Sequence, residues 1–396
     1  MKPISRIIVT IGALAWLSGC ESSEAWNRIV YCSQDDMMLP TASLRSDGGF
    51  VAIGGQRDSD GAFLHSWVVM IDEFGQPSKK KPFDSAYSQV NLIAASPTSD
   101  GGFIATGYCR PMNGMGYYLS RLDPDFEIVW EQCWDINADG LEISFAVCET
   151  AEGGAIIATN RLNSTAVALL QIDSNGNVGQ PVDLPDWYIY PEQIIQTSEG
   201  GYVLAGMFDM HCDPFCIDPS WMIKLDPDLN VEWSLHGRRQ ANTVCQVDSG
   251  DLVAISSGDD LTTSITKVTQ AGEPVWERPL TSVRLVEVIS RSTIHLEPLV
   301  NCEFLAADDL FFTGASQYID AAVVRIGDDG IIDWLQTYGG SDLDEAIAVS
   351  PGADGRYLVL GTTRFTGGYS NADHFSRYGA EEALWVIRID GEGNRY

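Results

Sequence analysis

Residue types able to do chemistry are thinly spread along this chain. The five histidines, His65, His211, His236, His295 and His374, stand far apart. Imidazole and thiol meet only at His211-Cys212-x-x-x-Cys216. A closed zinc site takes four ligands, and no second pair with suitable spacing exists. Two cysteines this close in one stretch also suit a local disulfide, and Cys212–Cys216 is the expected pair. Asp173-Ser174-Asn175-Gly176-Asn177 and Asp58-Ser59-Asp60-Gly61 carry oxygens spaced like the start of a calcium loop. They lack the distant Glu that completes such a loop, so hairpin turns account for them better. Asp342, Asp344 and Glu345 gather in one connecting stretch and are the candidate Ca2+ ligands. The G-x-S-x-G, H-E-x-x-H and G-x-x-x-x-G-K patterns are all absent.

Aromatic residues are the other candidates. Trp187, Tyr188 and Tyr190 fall within four positions, with Trp134 and Tyr338 at comparable places elsewhere. Exposed, such rings stack on a sugar or anchor a protein partner; buried, they cover the ends of neighbouring elements. Both alternatives stand for each of them.

What must position these residues is a repeat. TSDGGFIATG (Thr98 to Gly107) recurs as SDGGFVAIGG (Ser46 to Gly55), AEGGAIIATN (Ala151 to Asn160) and SEGGYVLAGM (Ser198 to Met207). Weaker copies begin at Asp248, Ala307 and Ala353, which makes seven. The interval is roughly fifty residues, a period typical of propeller blades. Within a unit, an alternating strand precedes the Asp-Gly-Gly turn and an apolar strand follows it. A variable loop then leads to a third strand such as WVVMID (Trp67 to Asp72), YLSRLD (Tyr118 to Asp123) or WVIRID (Trp385 to Asp390). The closing Asp reads as a turn residue whose carboxylate accepts backbone N–H bonds. A fourth strand often carries a Trp, as at Trp130, Trp233, Trp276 and Trp334. This pattern predicts four antiparallel strands per unit. The last unit stops without a fourth strand, and the strand from Trp26 to Tyr31 is expected to supply it by pairing with Trp385 to Asp390.

With YGGSDLDEAIAVSPGADGRYLVLG (Tyr338 to Gly361) and WVIRIDGEGN (Trp385 to Asn394) as its motifs, the chain resembles secreted bacterial β-propeller repeat proteins. The resemblance implies an all-β fold: one seven-bladed β-propeller, residues 26–396, closed by the N-terminal strand. Short turns then lie on one face. The long connections emerge on the other, among them Cys109 to Gly116, Phe208 to Pro219, Arg364 to Ala383, Trp134 to Leu141 and Leu184 to Tyr190. Variable loops on a rigid scaffold are where binding usually lives.

The N-terminus reads as a targeting segment: Lys2 and Arg6 precede an apolar run from Ile7 to Trp16, too short to span a bilayer. Leu17-Ser18-Gly19-Cys20 resembles the lipobox of bacterial lipoproteins. That resemblance implies a signal peptide over 1–19, a Cys20 carrying lipid chains such as palmitate, and a tether over 20–25. The expected location is the bacterial cell envelope, at the inner or the outer membrane. Formal charge is -31, and removal of Lys2 and Arg6 with no acid deepens it by two. So acidic a chain argues against nucleic acid and against direct binding of anionic headgroups. Eight cysteines remain beside Cys20, an even number suited to disulfides in an oxidising compartment. Cys148, Cys245 and Cys302 fall in predicted strands, where buried thiols are the alternative.

The expected function is that of a non-catalytic recognition or scaffold module, monomeric, whose long-loop face binds an envelope protein or a glycan. The alternative is a carbohydrate-active enzyme, hydrolase or lyase, with two carboxylates flanking the channel mouth. A likeness to propeller lipoproteins that assist outer-membrane protein assembly rests on fold and anchor alone.

Overall fold

The computed structural model describes residues 28–33, 37–45, 48–57, 63–87, 89–110, 116–142, 144, 146–162, 166–208, 220–237, 239–258, 263–279, 295–298, 304–311, 319–338, 343–351, 356–364 and 382–395. The chain opens with β1 (Arg28–Ser33). Next, β2 (Met37–Leu44), β3 (Phe50–Arg57), β4 (Phe63–Ile71) and β5 (Pro77–Pro82) form a four-stranded antiparallel sheet in chain order. So do β6 (Asn91–Pro97), β7 (Phe103–Cys109), β8 (Gly116–Leu122) and β9 (Ile128–Trp134). A single 3-10 turn at Ile136–Asp139 leads to β10 (Val147–Glu149), β11 (Ala155–Asn160), β12 (Ala166–Ile172) and the long β13 (Val182–Gln196). Then come β14 (Tyr202–Phe208), β15 (Ser220–Leu225), β16 (Val231–His236), β17 (Arg239–Gln246), β18 (Leu252–Gly258), β19 (Thr263–Val268) and β20 (Pro274–Pro279). β21 (His295–Pro298), β22 (Phe304–Phe311), β23 (Ile319–Ile326) and β24 (Ile332–Tyr338) make another four-stranded sheet. In the last sheet β25 (Leu343–Pro351), β26 (Tyr357–Arg364) and β27 (Glu382–Ile389) are joined by β1.

Strands β10 to β20 form one hydrogen-bonded network of eleven strands. β13 explains why. Its first part pairs with β12 from Val182 to Leu184 and again at Tyr188, and its second part, Ile189 to Gln196, pairs with β14. β17 touches β14 through the single pair Met207↔Gln240 and otherwise heads its own run to β20. The architecture is therefore all-β, a propeller-like arrangement of four-stranded antiparallel blades.

Each blade buries both faces of its middle strands against its neighbours. Ile104, Tyr117 and Leu119 of one blade meet Val147, Ile157 and Leu170 of the next in one apolar layer. Ile156 and Leu169 then meet Ile194, Leu204 and Ile223 in the layer beyond. Fully burying side chains of this kind contributes about 1.5–3 kcal/mol each. Outer strands are wetter, as in β20, where only Trp276 is half-buried.

The turns follow the residues predicted for them. At Gly101, φ is +82°, a left-handed conformation that glycine adopts without steric cost, and its N–H closes the turn onto the Thr98 carbonyl at 2.9 Å. In the turns between third and fourth strands, Asp72 Oδ1 accepts the N–H groups of Phe74 and Gln76 at 3.0 and 2.7 Å. Asp123, Asp173 and Asp390 repeat this arrangement, so Asp173 and Asn177 belong to a hairpin rather than a calcium loop. These bonds, with the Asn177 side chain first, hold the exposed Asp173 carboxyl below its ordinary pKa.

A second device joins neighbouring blades. The Trp130 ring lies against Gly176 of the next blade, where a Cβ would come within 3.0 Å of it. Trp233, Trp276 and Trp334 do the same at Gly272, Gly330 and Gly393, and each donates its indole N–H to a carbonyl of the following turn. Beside three of the four Trp residues a cation reaches across. Arg121 bonds Glu149 and the Gly153 carbonyl at 3.1 and 2.9 Å, Lys267 pairs with Asp328, and Arg325 bonds the Gly391 carbonyl at 3.0 Å. Lys224 stays within its own blade, bonding Glu199 at 2.8 Å with its side chain 1% exposed.

Three expectations need correction. The terminal strand pairs Arg28↔Val386 through Ser33↔Glu382, so it meets the beginning of the last third strand rather than Trp385 to Asp390 throughout. Leu184 to Tyr190 is continuous strand rather than a loop, because β13 keeps its extended course through an irregularity between Leu184 and Tyr188. Asp344 and Glu345 also lie on a strand, opposite Thr363 and Thr362. Among the described residues a disulfide joins Cys109 and Cys133, with Cα atoms 6.1 Å apart, and ties the end of β7 to β9. Cys148 and Cys245 are buried small hydrophobes, and burial, aided by Glu149, pushes the Cys148 thiol pKa far up. Cys302 lies outside the described residues.

Candidate binding face

Strand direction gives the two faces different materials. First and third strands run toward the short Asp-Gly turns, so second and fourth strands end at the opposite face. The Cys109–Cys133 bridge sits there, at the end of a second strand and near the end of a fourth. It braces the hairpin that leads through 111–115. On the short-turn face, by contrast, several carboxylates are already employed. Asp100 accepts from Thr98 Oγ1 at 2.6 Å and Arg121 at 2.9 Å. The Thr98 bond is the main reason its pKa falls to about 2; burial opposes that fall and Arg121 reinforces it. Burial would likewise raise Glu199, but bonds from Lys224, Gln270, its own backbone and Gln246 hold it at about 2.

The predicted aromatic residues separate. Trp134 is half-buried: its ring meets Tyr117 edge-on at 5.2 Å and packs with Ile136 and Leu141. The chain turns inward at Ile136, which is 1% exposed, and this folds Trp134 between two blades instead of presenting it. Tyr338 is also core. It is 3% exposed, donates its hydroxyl to the Gly393 carbonyl at 2.6 Å, and lies under the Arg395 guanidinium at 5.2 Å. Burial raises its pKa against the pull of Arg395, with Asp390 adding to the rise. Tyr338 is thereby closed to a ligand, whereas Trp134 keeps part of its surface exposed. Tyr190 is half-buried on β13, opposite Met207. Trp187 and Tyr188 belong to the same strand, with Trp187 inside its irregularity and Tyr188 opposite Ala166; their side chains lie outside the described residues.

Cys20, Asp58, Cys212, Cys216 and Asp342 lie outside the described residues, as do the side chains of Asp344 and Glu345. Among the described residues no group of three or more His, Cys, Asp or Glu side chains is placed to hold a metal ion. No helix among them is long and apolar enough to cross a membrane.

One residue escaped the sequence reading. Glu192 is the extra residue where β13 slips register between Pro191 and Gln193. It is exposed, yet surrounding protein withholds water from its carboxyl and raises the pKa by burial alone. The available signal was Gly206 on the adjacent strand, where a Cβ would overlap the Tyr190 carbonyl, so the two backbones can meet only at a glycine.

No family model matches the chain, and no curated protein does. Several solved structures are similar to the chain. The BP39L lectin from Burkholderia pseudomallei is 10% identical, with 92% of this chain and 98% of the lectin covered at a TM-score of 0.55. A point mutant of the NanB sialidase from Streptococcus pneumoniae is 12% identical, covering 93% and 71% at a TM-score of 0.45. A gluconolactonase from Xanthomonas campestris is 9% identical, covering 91% and 98% at 0.41. At such identity the likeness to the lectin speaks to the fold alone.

Proposed function

We propose that this chain is a lipid-anchored recognition module of the bacterial envelope, a closed seven-bladed propeller that binds a protein or a glycan through its long-loop face. Four separate sheets, with three four-strand units in the eleven-stranded network, support seven blades. The first strands β2, β6, β10, β13, β17, β21 and β25 meet in succession, and β25 meets β2 again. At that last seam Ser350 Oγ donates to the Gly48 carbonyl at 3.0 Å, and the Arg388 guanidinium lies 6.0 Å from the Phe74 ring centre. The pairing of β1 with β27 covers an edge that would otherwise stay open.

The observation that carries the functional reading is the contrast between faces. One spends its turn carboxylates and cations on its own fold. The other is where the second and fourth strands end, and the Cys109–Cys133 bridge braces it. The anchor agrees with this. Arg28 pairs near the short-turn end of β27 and Ser33 near the long-loop end, so a tether from Cys20 enters on the short-turn side. The long-loop face is then free to point away from the membrane. A disulfide also fits an exported protein.

The test pairs two variants in cells. Cys20→Ser should release the mature protein from membranes. Trp187→Ala should lose retained protein or glycan on arrays while keeping its Tm. Full retention by Trp187→Ala would contradict the assignment of that face. The competing hydrolase or lyase reading requires two channel carboxylates about 5–10 Å apart, and a hydrolase screen on the intact protein would detect it.

A further inference from the structure

We propose that Glu192 is the ligand-contacting group of a subsite inside the axial channel, and that the subsite takes a sugar ring. The inference deepens the glycan arm of the functional reading and rests on it. Its basis is a tier of matching irregularities. β2 slips register between Met38 and Thr41, β6 between Leu92 and Ala94, β13 between Pro191 and Gln193, β17 between Ala241 and Thr243, and β25 between Ala346 and Ala348. All five are first strands, with a partner along one edge and the axis along the other. A bulged residue is released from the ladder and re-aimed, which is why bulges often stand beside binding sites.

The residues at this tier are Leu39 and Pro40, Ile93, Glu192, Asn242 and Ile347. Among them Glu192 is the one carboxylate. Its flanking residues are committed elsewhere: Gln193 accepts the Val244 N–H at 2.7 Å, and Ile194 is 2% exposed in the blade core. Glu131, by contrast, is held by the fold, accepting from Ser85, Ala86 and Tyr118. Among the described residues none gives Glu192 a hydrogen bond or an ion pair. A partly desolvated charge without a partner is costly, and a ligand that donates hydrogen bonds would offset that cost.

The tier describes the ligand's chemistry. A carboxylate accepts from two neighbouring hydroxyls at once, while the half-buried Ile93 and Ile347 offer apolar surface to a ring's C–H face. A sugar carries both features. A simple amine would satisfy the charge but make no use of the apolar positions. Glu192 lies early in the inner half of β13, nearer the long-loop mouth than the short turns. A bound glycan could thus enter from the face already assigned to recognition.

The experiment applies the intact mature protein to an array of neutral oligosaccharides, with propylamine titrated separately. Charge-assisted hydrogen bonds of this kind are worth about 10- to 100-fold in affinity. Glu192→Ala should weaken the retained glycan by that factor, Glu192→Gln by less, and both should keep the wild-type Tm. Unchanged glycan affinity in Glu192→Ala would overturn the channel subsite and leave the long-loop reading intact. Salt-sensitive binding of propylamine without glycan binding would overturn the sugar assignment. A wild-type protein that retains no glycan would overturn both the subsite and the glycan arm of the function.

Discussion

Two kinds of seam join the blades, and they are mirror solutions to one packing problem. Where a blade ends in a Trp on its fourth strand, the next blade offers a glycine, as Trp130 meets Gly176 and Trp334 meets Gly393. Where the Trp position is held by Lys79 or Gly179, the facing turn carries Phe126 or Leu229 instead. These two adopt φ of 62° and 66°, the left-handed region that side chains other than glycine seldom enter, and they are 1% and 7% exposed. The volume is therefore filled once, from one side or the other. The seam at β13 goes further, because the strand itself passes from one blade into the next. Pseudo-repeats can thus diverge without opening a seam, provided each exchange is reciprocal.

Breaking the first kind of seam should give the largest effect. Trp130→Ala is expected to cost about 3 kcal/mol in urea unfolding, and Gly176→Phe alone about 2 kcal/mol or more from overpacking. Together they should recover part of the loss, a favourable coupling of about 1 kcal/mol or more. Strict additivity would show that the two sides do not share one volume. Removing the Cys109–Cys133 bridge by a double Ser substitution should cost roughly 3 kcal/mol, since it closes a loop of 24 residues. Chemical denaturation with and without reductant measures it.

The ion-paired side of the seams is sharpened by pH. The folded pKa of Glu199, about 2, lies below the ordinary 4.5, so its contribution is complete above about pH 4.5 and is lost as pH falls toward 2. Glu199→Gln should flatten the Tm profile across that window and change nothing in the shape above it. A wild-type profile in the variant would remove the Lys224 pair from the account. The smallest effect should come from Gly153→Ala. Its φ is +77°, but a Cβ there would meet no atom within 4 Å, so only backbone strain of about 1 kcal/mol is expected. Comparison with Gly176→Ala, which adds the Trp130 contact at 3.0 Å, separates strain from packing.

The repeat was legible because its turns have local causes. Asp72, Asp123 and Asp390 bond to atoms two and four residues away, so a short window of sequence contains the whole interaction. What was not legible depends on distant partners. Cys109 and Cys133 are brought together by strands folding over one another. Trp134 and Tyr338 stand at strand ends, where exposure is a fair expectation, and only the inward course of the chain at Ile136 and the reach of Gly393 bury them. Pro185 and Asp186 suggest a loop, yet the pairing on both sides of them keeps β13 extended. Glu192 looks like one polar residue in an alternating strand until register with β14 shows it to be the extra one.

The central claim is that the two faces differ in purpose as they differ in construction. The most direct measurement is photo-crosslinking in intact cells from a probe at position 187, with a probe at Asp125, an exposed residue of a short turn, as the matched control. The account predicts a discrete adduct, protein or glycan, from position 187 and none from position 125. An adduct from position 125 alone, or equal adducts from both, would contradict it.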